Sequence, residues 1–173
     1  MGEISLIAAV DENWGIGYEN ALLFHLKTDM KFFREKTKGN IVIMGRKTME
    51  SLPGGKPLAD RINIVLTHEE RESFLNGHPA GDSWIVFHTV AEVMDHIENT
   101  SREIYVIGGE MVYREFEPYA SRAFITKIEK EKRADAFFPN LDAMSGWEMI
   151  SAGKRFCEDG VWGEFVEYER HGK

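Results

Sequence analysis

Short apolar runs alternate along the chain with segments whose apolar residues recur every three or four positions, which predicts strand-helix-strand units around a largely parallel sheet. Ile4 to Val10 reads as a first buried strand, followed by a loop from Asp11 to Leu26 and a helix of roughly Thr28 to Thr37, ended by Lys38-Gly39. Ile41-Val42-Ile43-Met44 is a continuous apolar run suited to a strand covered on both faces, and a short helix is expected to start near Arg46. Two prolines and two glycines make Pro53 to Pro57 a loop. Strands are expected at Ile62 to Leu66 and Trp84 to Phe87. Thr89 with Glu92 three residues on is a capping-box signature for a helix running to about Glu98. A strand from Glu103 to Ile107 leads through Gly108-Gly109 into a helix from Glu110 to Phe116, which Pro118 closes. Beyond Arg122 the pattern is one of strands, and Glu158-Asp159-Gly160 reads as a hairpin turn. The strand after it, Val161 to Tyr168, is expected to add an antiparallel edge to the sheet.

At 173 residues the chain fits a single domain spanning 1–173, and 43% hydrophobic with 29% charged residues is an ordinary globular composition. A formal net charge of −8 argues against nucleic acid as a partner, so any anionic ligand must meet a local basic patch. Cys157 is the sole cysteine, which excludes an intrachain disulfide and a thiolate metal cage and fits a reducing, cytoplasmic setting. The six histidines have no zinc-like spacing, so no metal is expected. The opening apolar run lacks a basic flank and meets Asp11-Glu12 directly, so it reads as a strand rather than a signal peptide. No run approaches the length that a membrane-spanning helix needs, and no membrane partner is expected.

Asp29 lies among apolar and aromatic residues, with Met30 next to it and Phe33 one helical turn on. A carboxylate on an apolar wall suits a flat heterocycle bearing paired N–H donors; the alternative is a solvated first-turn aspartate favoured by the helix dipole. Gly108-Gly109 stands where a strand meets a helix, a position that favours a phosphate or simply needs residues without Cβ. Gly45-Arg46-Lys47-Thr48 and Thr67-His68 follow two other strands and could converge on one anion, or form a solvated first turn. The chain carries neither G-x-G-x-x-G nor G-x-x-x-x-G-K-[ST], which disfavours an ordinary dinucleotide domain or a nucleotide triphosphatase.

Taken in order, these residues resemble dihydrofolate reductases of the bacterial chromosomal type from Ile4 to nearly the last residue. The markers are Ile4 to Ala9; Gly15-Ile16-Gly17 with Glu19-Asn20; Asp29 with Phe33; Ile43 to Thr48 with Glu50-Ser51; Pro57-Leu58 with Arg61; Val106 to Gly109 with Tyr113; and Asp135 with Phe138-Pro139. The resemblance implies an α/β fold with a central, mostly parallel eight-stranded sheet, an antiparallel C-terminal edge strand and about four flanking helices. It implies NADPH as cofactor and reduction of 7,8-dihydrofolate to tetrahydrofolate, by hydride transfer to pterin C6 with protonation at N5.

Residue by residue, Asp29 matches the acid that holds the pterin 2-amino group and N3, and Thr126 the hydroxyl that supports it. Phe33 and Leu52 match residues packing the aminobenzoyl ring, Ile7 and Ile107 those offering carbonyls beside the pterin, and Ala8, Met30 and Leu58 further substrate contacts. Arg61 matches the arginine that clamps the α-carboxylate of the glutamate tail, a task for a bidentate guanidinium. Leu22 and Phe24 belong to the active-site lid. Ala9, Ile16, Asn20, Ala21, Gly45, Arg46, Thr48, Leu66, Ile107, Gly108, Gly109, Glu110, Met111, Val112 and Tyr113 match cofactor-lining positions, and in the family the Gly-Gly peptide is cis. Thr67 and His68, with Arg46 or Lys47, match the patch that receives the adenosine 2′-phosphate. Asp29 is then the one ionisable group beside the ring, on the side away from N5, so it acts electrostatically while water brings the proton. Antifolate inhibitors and a monomeric state are further expectations of the resemblance.

Five positions depart from the family pattern or bear on it. Leu22-Leu23-Phe24 replaces Leu-Pro-Trp, removing an indole N–H and a φ restriction from the lid. Lys27 stands where a second proline is common, Ala134 replaces a glycine before the loop aspartate Asp135, and Glu110 sets a negative side chain just after the glycines. Two rival readings are a deaminase-reductase-type NADPH reductase acting on a ribosylaminopyrimidine and a non-catalytic folate-binding module. Asp29, Phe33 and Arg61 together speak for a folate, and the intact acid with both cofactor patches speaks for catalysis.

Overall fold

Eleven strands and four α-helices are formed by the residues that the structure, a computed structural model, describes, 1–70 and 83–172. The strands are β1 (Ile4–Val10), β2 (Gly15–Tyr18), β3 (Ala21–Leu22), β4 (Ile41–Gly45), β5 (Ile62–Leu66), β6 (Ile85–Phe87), β7 (Ile104–Gly108), β8 (Arg122–Ile128), β9 (Ala136–Phe137), β10 (Trp147–Glu158) and β11 (Val161–Arg170). The helices are α1 (Lys27–Thr37), α2 (Arg46–Ser51), α3 (Val90–Ile97) and α4 (Glu110–Phe116).

The main sheet has eight strands in the order β10-β11-β8-β1-β7-β4-β5-β6. From β8 to β6 every neighbouring pair is parallel, whereas β11 runs antiparallel to both β8 and β10. The parallel strands are apolar on both sides because helices cover both faces. Ile41 and Ile43 face one core cluster with Val93 and Ile97 of α3 and Val112 and Phe116 of α4. Val42 and Met44 face a second cluster with Met49 of α2, rimmed by Phe32 and Phe33 of α1.

The expected antiparallel C-terminal edge consists of two strands rather than one. Strand β11 lies one place inside the sheet, pairing with β8 over Gly163–Glu169, and β10 forms the edge. The reason is amphipathic: Val166 and Tyr168 of β11 are buried, while β10 is exposed along nearly its whole length. Asp159 and Gly160 both take positive φ, 51° and 78°, as a two-residue hairpin turn requires. Pro53–Gly55 forms a single 3-10 turn inside the expected loop, broken at Gly54 by a φ of 67°. Thr89 caps α3 by accepting from the Glu92 N–H at 3.2 Å.

The segment from Asp11 to Leu26, read as loop, contains β2 and β3, which with β9 make a small second sheet in the order β3-β2-β9. Its pairing partner lies more than a hundred residues away in sequence, which is why local pattern did not reveal it. Buried Asp11 joins the pieces: Oδ1 accepts from the N–H groups of Asn13 (2.9 Å) and Gly15 (2.7 Å), and Oδ2 from that of Lys132 (3.1 Å). Asp11→Ala strands these donors and is expected to cost about 2 kcal/mol or more in urea unfolding. Asp11→Asn, which keeps one acceptor oxygen, is expected to cost less.

Candidate active site

Strand β1 is bonded to β7 through Ile4–Leu6 only, yet stays with β8 as far as Val10. The pairing of β7 with β4 skips Ile107: Ile43 pairs with Val106 and Met44 with Gly108. A bulge at Ile107 therefore coincides with the parting of β1 from β7 at their carboxyl ends. A crevice opens at this point, where loops after parallel strands converge on a ligand. The Ile7 carbonyl at its edge accepts from the Tyr113 hydroxyl at 2.6 Å. Phe33, Leu52, Leu58 and Ile107, each half-buried against the second core cluster, supply an apolar rim.

Asp29 lies in the first turn of α1, and its Oδ1 accepts from the Thr126 hydroxyl of β8 at 2.6 Å. Burial raises the pKa of this carboxyl above its ordinary value of 3.8, the Thr126 hydrogen bond opposes the rise, and the Glu158 charge adds to it. Burial likewise pushes the Tyr113 phenol far up, with a further push from Asp29, so Tyr113 is a neutral donor at any ordinary pH. Thr126 is itself 1% exposed and aimed at the acid.

Arg61 sits at the far end of α1. Its Nη1 donates to the Thr37 hydroxyl at 3.1 Å and its Nε to the Ala59 carbonyl at 2.8 Å. Partial burial lowers its pKa, countered by Asp60 and reinforced by Arg34. A cleft of about 270 Å³ beside it is lined by Arg34, Lys38 and Asp60 among others, so two further cations accompany the guanidinium.

Gly45 and Gly109 stand as N-caps of α2 and α4 on adjacent parallel strands, and neither provides a side-chain cap. A Cβ at Gly45 would come 3.1 Å from Val112, and one at Gly108 would come 3.1 Å from the Thr48 hydroxyl. This cradle of bare backbone beside a hydroxyl fits the pyrophosphate of a dinucleotide. The Gly108–Gly109 peptide is cis. Buried Leu66 ends β5 and buried Thr67 follows it, with His68 exposed next in the chain and Lys47 exposed on α2. Arg46 is already paired with Glu69, and its Nε lies 3.8 Å from Glu50.

The family model for dihydrofolate reductase matches residues 3–170. The chain belongs to the dihydrofolate reductase family. It is 37% identical over 169 residues to the dihydrofolate reductase of Bacillus subtilis (strain 168), covering 96% of this chain and 94% of that one. It is 34% identical over 171 residues to that of Neisseria meningitidis (serogroup A strain), covering 99% and 100%, and 39% identical over 152 residues to that of Heliothis virescens, covering 81% and 80%.

Of the residues the family pattern singles out, Asp29 is bonded to Thr126 and Tyr113 to Ile7; Phe33, Leu52, Leu58 and Ile107 pack against the second core cluster, Ala8 and Ala9 are half-buried, and Ile16 is buried in the first cluster. Leu22, Met30 and Met111 are largely exposed, as are Asn20 and Ala21 at the β2–β3 turn. Glu110 Oε1 accepts from the Phe137 N–H at 2.8 Å, tying α4 to β9. The lid that lacks proline and indole is held by Lys132, whose Nζ donates to the Leu23 carbonyl at 2.7 Å and lies 4.7 Å from the centre of the Phe24 ring. Asp135 accepts from the Glu19 N–H at 3.0 Å and donates its own N–H to Gly17 at 2.9 Å, and a Cβ at Gly15 would come 2.8 Å from that of Ala134. Glu69, Lys132 and Glu158 were invisible to sequence reasoning, since each acts on a partner far along the chain.

A carboxyl whose folded pKa exceeds its unfolded value destabilises the fold as pH climbs from the unfolded value through the folded one. Asp29→Asn keeps the acceptor for Thr126 and removes the partly desolvated charge. It is expected to stabilise the protein by on the order of 1 kcal/mol at neutral pH, with the gain vanishing below about pH 3 in pH-dependent thermal melts.

Proposed function

We propose that the crevice between β1 and β7 binds the pterin ring and that Asp29 is the acid that holds it. The reaction of this family member is reduction of dihydrofolate to tetrahydrofolate with NADPH. The observation that carries the assignment of residues is the Asp29–Thr126 pair, a half-buried carboxylate held at 2.6 Å by a buried hydroxyl on an otherwise apolar wall. With Oδ1 engaged by Thr126, Asp29 presents Oδ2 and its charge to paired N–H donors on a ring. The carbonyls of Ile7 and Ile107 accept further ring N–H groups, and Phe33, Leu52 and Leu58 exclude water from the ring and the segment beyond it. Arg61, with Arg34 and Lys38 beside it, receives the carboxylate of the glutamate tail.

NADPH supplies the hydride. Gly45, Thr48, Gly108 and Gly109 hold its pyrophosphate, and Arg46, Lys47, Thr67 and His68 its 2′-phosphate. Tyr113 keeps the Ile7 carbonyl oriented by its hydrogen bond. Asp29 is on the amidine side of the ring and raises its proton affinity electrostatically, while the proton itself comes from water. The domain works as a monomer in the cytoplasm, consistent with one exposed free cysteine. Antifolates with a paired N–H donor face fit the same carboxylate. Among the described residues no helix is long and apolar enough to cross a membrane.

Loss of NADPH absorbance on adding 7,8-dihydrofolate tests this reading directly. Oxidation that requires dihydrofolate and falls at least about a hundredfold in Asp29→Asn is the expected result. Near-normal hydride transfer by the variant across pH would overturn the role of Asp29. Arg46 must exchange Glu69 for the 2′-phosphate, so Glu69→Gln is expected to tighten NADPH binding by up to about fivefold and leave NADH binding unchanged in fluorescence titrations.

A further inference from the structure

Helix α1 begins without a cap of its own: its N-cap residue, Leu26, offers no side-chain acceptor. The missing acceptor comes from 130 residues away. At the tip of the β10–β11 hairpin, Glu158 Oε2 accepts from the Lys27 N–H at 2.7 Å, and Oε1 accepts from the Thr28 N–H at 2.9 Å and the Thr28 hydroxyl at 2.7 Å. All three bonds end on the two residues that immediately precede Asp29. The same hairpin holds the apolar side of α1, because Phe165 stacks on Phe32 with ring centres 4.5 Å apart and on Phe156 at 5.1 Å. Phe165 is moreover the ladder partner of Thr126, the residue that holds Asp29. The acid is therefore fixed by a closed circuit: Asp29 to Thr126 on β8, Thr126 to Phe165 on β11, Phe165 to Phe32 on α1, and Glu158 back to the start of that helix.

We propose that Glu158 is a positioning residue for the acid, setting the first turn of α1 and placing a second carboxylate charge next to Asp29. The inference rests on Asp29 being the ring-binding acid. The groups that bear on Asp29 are Thr126 from β8, Tyr113 from α4 and Glu158 from β10, with Lys27 acting on Glu158. Hydrogen bonds from Thr28 and Lys27 hold Glu158 below the usual carboxylate range, so it is charged while Asp29 titrates. Its charge disfavours the Asp29 carboxylate and thereby raises the pH at which the acid ionises.

Two variants separate the cap from the charge. Glu158→Gln keeps an oxygen for Thr28 but no charge, whereas Glu158→Ala keeps neither. Titration of the Asp29 carboxyl carbon by NMR is expected to move to lower pH in Glu158→Gln, and the midpoint of the turnover-pH profile is expected to move with it. In Glu158→Ala, hydrogen exchange of the Lys27 and Thr28 amides is expected to quicken about fivefold or more. An unmoved Asp29 titration in Glu158→Gln overturns the proposal, whether or not the amides exchange faster in the alanine variant. Failure of the underlying reading is recognised separately, by Asp29→Asn retaining full hydride transfer, since the NMR titration does not depend on turnover.

Discussion

The parting of β1 from β7 beyond Leu6 and Val106 is the constraint on which the site depends. Up to that pair the strands satisfy one another's backbone groups. Beyond it, the bulge at Ile107 and the turn through Gly108-Gly109 carry β7 away, while β1 follows β8 as far as Val10. Backbone carbonyls that a continuous sheet would consume are left at the crevice edge, and one of them, at Ile7, is partly satisfied by Tyr113. A half-buried carboxylate is tolerable next to such an opening because solvent and the Thr126 hydroxyl share its solvation.

Asp29 carries the tension between folding and chemistry that this geometry creates. Burial penalises its charge and Glu158 adds to the penalty, while Thr126 returns one hydrogen bond. A carboxyl whose charge is disfavoured by burial in an apolar wall costs the fold stability. The supports around it are rigid: a ladder strand, an aromatic stack and a hairpin tip.

The lid and the phosphate patch show how departures from the family pattern are absorbed. Proline and indole are replaced by leucine and phenylalanine, and Lys132 gathers both residues through one hydrogen bond and one cation–ring contact. Glu110, just after the glycine pair, is engaged by the backbone of Phe137. At the start of α2 the side chain of Arg46 is likewise engaged within the protein, by Glu69.

Elements built on local pattern were legible in the chain itself. The helix Glu110–Phe116, the strand Ile62–Leu66, the Thr89 cap and the Asp159-Gly160 turn all follow from period, capping or φ preference within a few residues. Asp29, Arg61 and the Gly108-Gly109 pair stood out only through the ordered resemblance to a family, since alone an aspartate also suits a solvated helix turn and two glycines a tight turn. What local pattern does not encode is pairing at long range. The placement of β11 inside the edge, the β3-β2-β9 sheet, the Lys132 contacts and the Glu158 cap all join segments tens to more than a hundred residues apart. Such contacts depend on how faces of elements meet after packing, and a single charged residue in a turn carries no mark of the helix it will cap. The sequence by itself determined the elements that rest on local period, capping and turn chemistry; the tertiary structure decided the small second sheet and how Asp29 is half-buried and held, because those depend on faces that meet only after packing.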